Sequence, residues 1–425
     1  MKEFDKVIGY QSIKTELERV CDIMRNPTKY QQLGVTTPRG LLLHGAPGVG
    51  KTLICKCFIE ASGRPVYTCR KNKSNGDFLK TINEVFDTAA SNAPSIVFLD
   101  DMDKFANEDE RHRDADEYVA VQACIDNVAG SEVFVLATAN DVDKLPKSLT
   151  RAGRFDKVVE VRAPLGEDAV KIVQYYLGQK SFVDDVDAQQ IARLLNGRSC
   201  AELETVINEA GVYAGFQNKP KIDMDDIVRA CMRVIFSAPE TPANHSPEVL
   251  QRIAYHEAGH AVIAELLEPQ SVNIVSVCKY QGDVGGVTSY HQSEEYFCDK
   301  KYMENRVLSL LGGRAAMEVQ FGQVDVGATH DMQRALAIVE RFVDDYGAVG
   351  FSCLGESHFS SNDLHARKEI LSRAELDRYY QTARKLLVDN RQFLDQLAAA
   401  LVQRKTLVNK DVLAIKTACK VVVSA

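Results

Sequence analysis

The stretch GLLLHGAPGVGKT, Gly40–Thr52, runs from a short apolar segment through a glycine-rich loop into the start of a helical pattern. GLLLHG reads as a buried strand, because a short continuous apolar run closed by glycine suits a strand covered on both faces. GAPGVGKT fits GxxxxGK[ST]. Its glycines let the backbone curl so that successive N–H groups face an anion. The helix that follows aims the positive end of its dipole at the same point. In this reading Gly45, Ala46, Pro47, Gly48, Val49 and Gly50 wrap a chain of phosphates. Lys51 reaches the β- and γ-phosphates, and Thr52 holds Mg²⁺.

Further strand-like runs follow: PVYTC (Pro65–Cys69), SIVFLD (Ser95–Asp100), VFVLATA (Val133–Ala139) and KVVEV (Lys157–Val161). Helical patterns separate most of them, so an α/β domain with a parallel sheet covered by helices is expected over residues 1–165. Asp100 and Asp101 close the SIVFLD strand, where Mg²⁺ and an attacking water sit in such a fold. Asn140 follows the next strand and is expected near the γ-phosphate. Arg151 and Arg154 lie three apart in a loop before the last strand. Beside a nucleotide domain they are candidates to reach the γ-phosphate of a neighbouring subunit.

From about Gly166 apolar residues recur at helical spacing, in AVKIVQYYL, AQQIARLL, AELETVINEAGVYAG and MDDIVRACMRVI. This reads as a small helical domain, 166–236. SAPETPANHSPE (Ser237–Glu248) has three prolines and little apolar matter, which suits a linker over 237–248. The rest, 249–425, reads as mainly helical, with a strand-like interruption between Val272 and Tyr290.

AYHEAGHAVIAELL, Ala254–Leu267, opens that last region. His256 and His260 stand at i and i+4, on one face of a helix, where both imidazoles can grip one zinc ion. Glu257 projects beside them, placed to take a proton from a metal-bound water. Catalytic zinc usually has three protein ligands. The extended pattern HExxHxxGxxH is absent, so the third must come from further along. GATHDMQRALAIVERF (Gly327–Phe342) offers Asp331 or His330, with Thr329 expected to cap the helix.

Composition narrows the classes. The chain of 425 residues is 45% apolar and 26% charged, a globular balance. A net charge of −8 argues against a nucleic-acid binder held by bulk electrostatics. Eleven scattered cysteines without a CxxC pair suit free thiols in a reducing compartment. No apolar run is long enough for a transmembrane segment.

These motifs, in this order, resemble the FtsH-type AAA+ zinc metalloproteases over nearly the whole chain. The likeness rests on VIG (Val7–Gly9), GAPGVGKT, SIVFLDDMD, SLTRAGRFD, AELETVINEA, AYHEAGHAV, LLGGRAAMEVQFG (Leu310–Gly322) and GATHDMQRA. It implies an ATP-dependent zinc metalloendopeptidase with protein or peptide substrates, using Zn²⁺ and ATP with Mg²⁺. It makes Asp331 the third zinc ligand and Arg151 and Arg154 arginine fingers in a homo-hexameric ring. It also implies that GGVTSY is an edge that holds an extended peptide.

Three departures from the family pattern modify that expectation. Family members normally carry N-terminal transmembrane helices, and this chain starts almost directly at the ATPase. A soluble, cytoplasmic form is therefore expected, or a membrane-associated one if the sequence is part of a longer chain. The family's Asp-Glu pair is here Asp100-Asp101, and the second carboxylate is one methylene shorter, so slow hydrolysis is expected. The family's aromatic–apolar–glycine threading loop is replaced by CRKNKSNGDF (Cys69–Phe78), which is basic and polar, with Tyr67 and Phe78 the nearest aromatics. Two other readings follow: a zinc peptidase whose nucleotide mainly assembles the ring without threading, or a chaperone-like remodeller.

Overall fold

The computed structural model describes residues 2–71, 78–105, 115–151, 153–182, 186–238, 245–278, 285–291, 299–323, 326–350 and 362–422. They group into two compact units, Met1–Met224 and Asp225–Ala425.

In the first unit, α1 (Gln11–Arg25) and α2 (Pro27–Gln31) precede β1 (Gly40–His44) and α3 (Lys51–Ser62). Then come β2 (Val66–Cys69), α4 (Phe78–Ser91), β3 (Ser95–Leu99), α5 (Ala115–Asn127), β4 (Val133–Ala139) and β5 (Lys157–Glu160). All five strands expected from their apolar runs are present, to within a residue at either end. The sheet is parallel with order β2-β3-β4-β1-β5. The central strands β3 and β4 are buried along their whole length, whereas the edge strands β2 and β5 are largely exposed. That is why the central strands are continuous apolar runs and not alternating ones. Because β1 lies between β4 and β5, the carboxyl ends of β1, β3 and β4 open into one crevice.

Three helices complete this unit: α6 (Gly166–Leu177), α7 (Ala188–Leu194) and α8 (Cys200–Phe216). The start of α8 is a capping box. Ser199 accepts from the Glu202 N–H, and Glu202 accepts from the Ser199 N–H at 2.8 Å.

The second unit holds α9 (Met224–Phe236), α10 (Pro247–Leu267), β6 (Val272–Ser276), β7 (Val287–Tyr290) and α11 (Lys300–Phe321). They are followed by α12 (Thr329–Asp344), α13 (Asn362–Asp389), α14 (Arg391–Arg404), β8 (Thr406–Val408) and α15 (Asn409–Ala418). The helix α10 begins inside the stretch read as a linker, because Ser246 caps it and Pro247 takes the first helical position. Residues 239–244 of that stretch lie outside the described residues. The three strands form an antiparallel sheet of order β7-β6-β8. Strand β8 was not expected from sequence, since three residues carry no periodicity. Strand β7 is an edge, and its outer side has no strand partner among the described residues. No helix among the described residues is long and apolar enough to cross a membrane.

The core of this unit forms where α10 meets α11. A Cβ built on Gly259 would lie 2.3 Å from the Gly312 carbonyl oxygen, and one built on Gly312 would lie 2.5 Å from the Gly259 carbonyl oxygen. The two backbones therefore touch directly, with Ala258, Ala261, Ala315 and Ala316 fully buried around the crossing. Replacing Gly312 by valine should destabilise this unit by on the order of 3 kcal/mol or more, because neither backbone can retreat. Gly215 in α8 has open space around its missing side chain. Gly215→Ala should stabilise by about 0.5–1 kcal/mol. Denaturant titration of the two variants checks both signs.

Candidate functional site

The crevice of the first unit gathers the residues expected around a triphosphate. Gly45, Gly48 and Gly50 all have positive φ, at 145°, 79° and 98°. A Cβ on Gly45 would come within 2.0 Å of the Val161 carbonyl oxygen, so glycine is obligatory there. The buried Lys51 ammonium donates to the carbonyls of Gly45 (2.6 Å) and Ala46 (3.0 Å) and to Asn140 Oδ1 (3.0 Å). Thr52 Oγ1 lies 3.4 Å from Asp100 Oδ1, which also accepts from Thr138 Oγ1 at 2.9 Å. Start-of-helix residues of α8 close over the loop, with the Ala201 N–H donating to the Gly48 carbonyl at 3.1 Å. The cleft, about 690 Å³, is completed by Ile8, Tyr10, Tyr175 and Tyr176.

Asp101 is held in an unusual way. Its backbone is left-handed (φ 56°, ψ 50°), a region that aspartate tolerates better than most residues. Its N–H donates to Thr138 Oγ1 at 2.8 Å. Its carboxylate is clasped by Lys104 at 2.7 Å and Arg70 at 3.4 Å. Burial works against the charge, but the Lys104 hydrogen bond and the nearby Lys104, Arg70 and Lys51 charges outweigh it and hold the carboxyl below its ordinary range. Sequence reasoning missed Arg70, Lys104 and Thr138, since nothing in their spacing marks them.

Arg154 is turned back onto α5. Its guanidinium grips Asp126 at 2.7 and 3.0 Å and the Ser148 carbonyl at 2.7 Å. Arg151 is exposed. Residues 72–77 of the expected threading loop lie outside the described residues. At the ends of that loop, Lys71 pairs with Glu117 at 2.7 Å, and Phe78 is buried against Phe105. Phe78 is therefore a core residue and not a displayed aromatic. Tyr67 likewise packs against the core.

In the second unit His256 and His260 project from one face of α10, and Asp331 meets them from the first turn of α12. The two Nε2 atoms are 3.1 Å apart, and Asp331 Oδ2 lies 3.6 Å from that of His256 and 3.3 Å from that of His260. Three ligand atoms at this spacing could hold one metal ion. His260 Nδ1 is 2.7 Å from the Ser309 carbonyl. That hydrogen bond puts the proton on Nδ1 and leaves Nε2 free to coordinate. Burial opposes charge on both groups, yet their mutual attraction wins. It raises the His260 imidazole and, with the hydrogen bond to His256, pushes the Asp331 carboxyl well down. His330 is exposed and outside this cluster, so of the two alternatives Asp331 is the one brought to the histidines. Thr329 does not cap α12. The 3-10 turn Val326–Ala328 runs straight into the helix, so Ala328 occupies the cap position and Thr329 is already helical.

Glu257 is buried, and burial holds its carboxyl above the ordinary carboxylate range despite the two imidazoles. Thr288 Oγ1 of β7 donates to Glu257 Oε2 at 2.8 Å. Two glycine pairs, 285–286 and 312–313, make room for these groups. A Cβ on Gly286 would lie 2.6 Å from Glu257 Cγ, and one on Gly313 would lie 2.5 Å from His260 Nε2 and 2.6 Å from His256 Nε2. The GG pairs were the only sequence signal for this second layer. The pocket over the site has a volume of about 980 Å³ and reaches Tyr290, Arg252 and Arg334.

Comparison with known proteins finds a matching family in each unit. Residues 41–163 match the ATPase family associated with various cellular activities (AAA), and residues 244–415 match peptidase family M41. The ATP-dependent zinc metalloprotease FtsH of Caldicellulosiruptor bescii is 30% identical over 96% of this chain and 71% of its own length. The chain belongs to the FtsH family. Another FtsH relative, ATP-dependent zinc metalloprotease FtsH 2 of Phytoplasma mali, is 30% identical over 96% of this chain. A third, FtsH of Rubrobacter xylanophilus, is 31% identical over 95%. The chain spans 62% and 66% of the lengths of these last two FtsH proteins.

Gly313→Ala tests the cradle beneath the imidazoles. The added methyl should lower affinity for a bound divalent metal by about 10- to 100-fold, as displaced ligand geometry does elsewhere. Metal titration of the purified chain, with circular dichroism to check that the helices persist, gives the answer.

Proposed function

We propose that this chain is an ATP-dependent zinc metalloendopeptidase that cleaves protein substrates. The observation that carries this reading is the convergence of His256, His260 and Asp331 on one point, with buried Glu257 beside them and an open strand edge, β7, along the same pocket. The donor set of two imidazoles and one carboxylate suits zinc, which His256, His260 and Asp331 would hold. Zinc held there supplies a Lewis acid that makes water acidic enough to attack an amide near neutral pH. Glu257 accepts the proton of that water and returns it to the leaving amine. A carboxyl raised by burial is matched to both halves of that transfer, being neither too weak a base nor too weak an acid. Thr288 orients the carboxylate through Oε2 and leaves Oε1 for the proton. An extended peptide lies along β7 and is held by its backbone.

In the same reading ATP with Mg²⁺ occupies the cleft of the first unit. Lys51 would exchange its loop carbonyls for phosphate oxygens, Thr52 and Asp100 would hold the ion, and Asn140 would face the terminal phosphate. The subunits form a ring, a homo-hexamer, in which Arg151 and Arg154 reach the neighbour's nucleotide, Arg154 after releasing Asp126. Hydrolysis is slow, because Asp101 is short by one methylene and its charge is spent on Lys104 and Arg70.

Glu257→Gln should reduce casein cleavage by at least about 100-fold while zinc, measured by metal analysis, stays bound. Cleavage at the original rate would sink the mechanism. Asp101→Glu should raise ATP turnover by about tenfold or more, as a carboxylate placed roughly 1 Å nearer the water would. Steady-state phosphate release measures it.

A further inference from the structure

The nucleotide cleft has two chemically distinct ends. Its phosphate end is polar and is built from the glycine loop, Lys51, Thr52, Asp101 and Asn140. Its other end is lined by Ile8, Tyr10, Ile172, Tyr175 and Tyr176, a wall of flat and branched apolar surface that suits a nucleobase. Two segments supply that wall. One is the turn at residues 7–10, which leads into α1. The other is one face of α6. Ile172, Tyr175 and Tyr176 stand four, seven and eight residues after Asp168, so Asp168 begins the same helical face.

Asp168 also grips the turn. Its Oδ2 accepts the Tyr10 N–H at 3.0 Å. Its carboxyl group abuts Gly9, where an added Cβ would lie 2.9 Å from Cγ and from Oδ1. The two residues held in this way are both left-handed, Gly9 at φ 71° and Tyr10 at φ 54°. Glycine adopts that conformation freely, and a tyrosine does not. The Tyr10 ring is fixed separately. Its hydroxyl donates to the Arg162 carbonyl at 2.9 Å and lies 3.5 Å from Cys200 Sγ at the start of α8. These contacts fix the side chain, whereas the Asp168 hydrogen bond fixes the backbone. We propose that Asp168 is a positioning residue for the base of a bound nucleotide: it holds the left-handed turn against α6, so that both walls of the base end are set before the nucleotide arrives. This inference rests on the nucleotide reading and adds to it a residue outside the phosphate loop and the carboxylate pair. Without the carboxylate acceptor the turn relaxes, and binding has to order it again, which weakens affinity for the base. The phosphates, held by Lys51 and the glycine loop, do not depend on it.

The test measures binding of ADP and of inorganic tripolyphosphate to the full chain by calorimetry, the second ligand having phosphates and no base. Asp168→Ala should weaken ADP binding by about five- to thirtyfold, the range expected when a hydrogen bond to a backbone N–H is lost, and tripolyphosphate binding by less than about twofold. Asp168→Asn still presents an acceptor and should bind ADP within about threefold of wild type. Asp168→Leu keeps the bulk beside Gly9 and removes the acceptor. It should match the alanine variant, and it provides a second reading should that variant fold poorly. Equal weakening of both ligands, ADP binding unchanged in the alanine and leucine variants, or an asparagine variant as weak as alanine overturns the role of Asp168 and leaves the nucleotide reading standing. A wild-type chain that binds neither ADP nor tripolyphosphate overturns the nucleotide reading, and the role of Asp168 with it.

Discussion

Gly259 and Gly312 meet with no side chain between them, and the metal site depends on that contact. Two helices usually pack 8–10 Å apart, a distance set by the side chains at the crossing. Here the carbonyl of each glycine occupies the space where the other's Cβ would be. The close approach brings Gly313 beneath the imidazoles of His256 and His260 and carries the Ser309 carbonyl to within 2.7 Å of His260 Nδ1. His260 is thus oriented by a backbone carbonyl, which cannot rotate away as a side chain can. Glu257, between them in sequence, points to the opposite partner, where Gly286 leaves room and Thr288 binds it.

The nucleotide cleft is assembled by topology. Strands β1, β3 and β4 lie side by side although β2 and long helices intervene in sequence, so Lys51, Asp100 and Asn140 arrive at one edge. Thr138 ties this edge together by bonding both the Asp100 carboxylate and the Asp101 backbone. The left-handed turn at Asp101 then directs its side chain to Lys104 and Arg70. Arg70 also begins the loop after β2, so the same guanidinium touches the catalytic edge and the start of that loop.

Much of this was legible from the sequence. The five parallel strands were visible because burial on both faces demands unbroken apolar runs. The phosphate loop was visible because its glycines and lysine have a fixed spacing that follows from local backbone geometry. His256 and His260 were visible because one helical turn brings i and i+4 together. Errors fell where the path of the chain overrode a sequence rule. Thr329 looked like a cap, but a preceding 3-10 turn had already started the helix. Phe78 is one of the aromatics nearest the polar loop in sequence, but packing against Phe105 buries it. The third strand of the small sheet, β8, is three residues long and has no pattern to read.

The sequence by itself therefore determined the two motifs on which the proposed chemistries rest, since the residues of each are held by the local geometry of one loop or one helix. Only the tertiary structure decided which distant groups complete them. Asp331 lies some seventy residues beyond the histidines, and bare spacing left it equal to His330. The fold separates the two because adjacent residues at a helix start point in different directions, and α12 presents only Asp331 to α10.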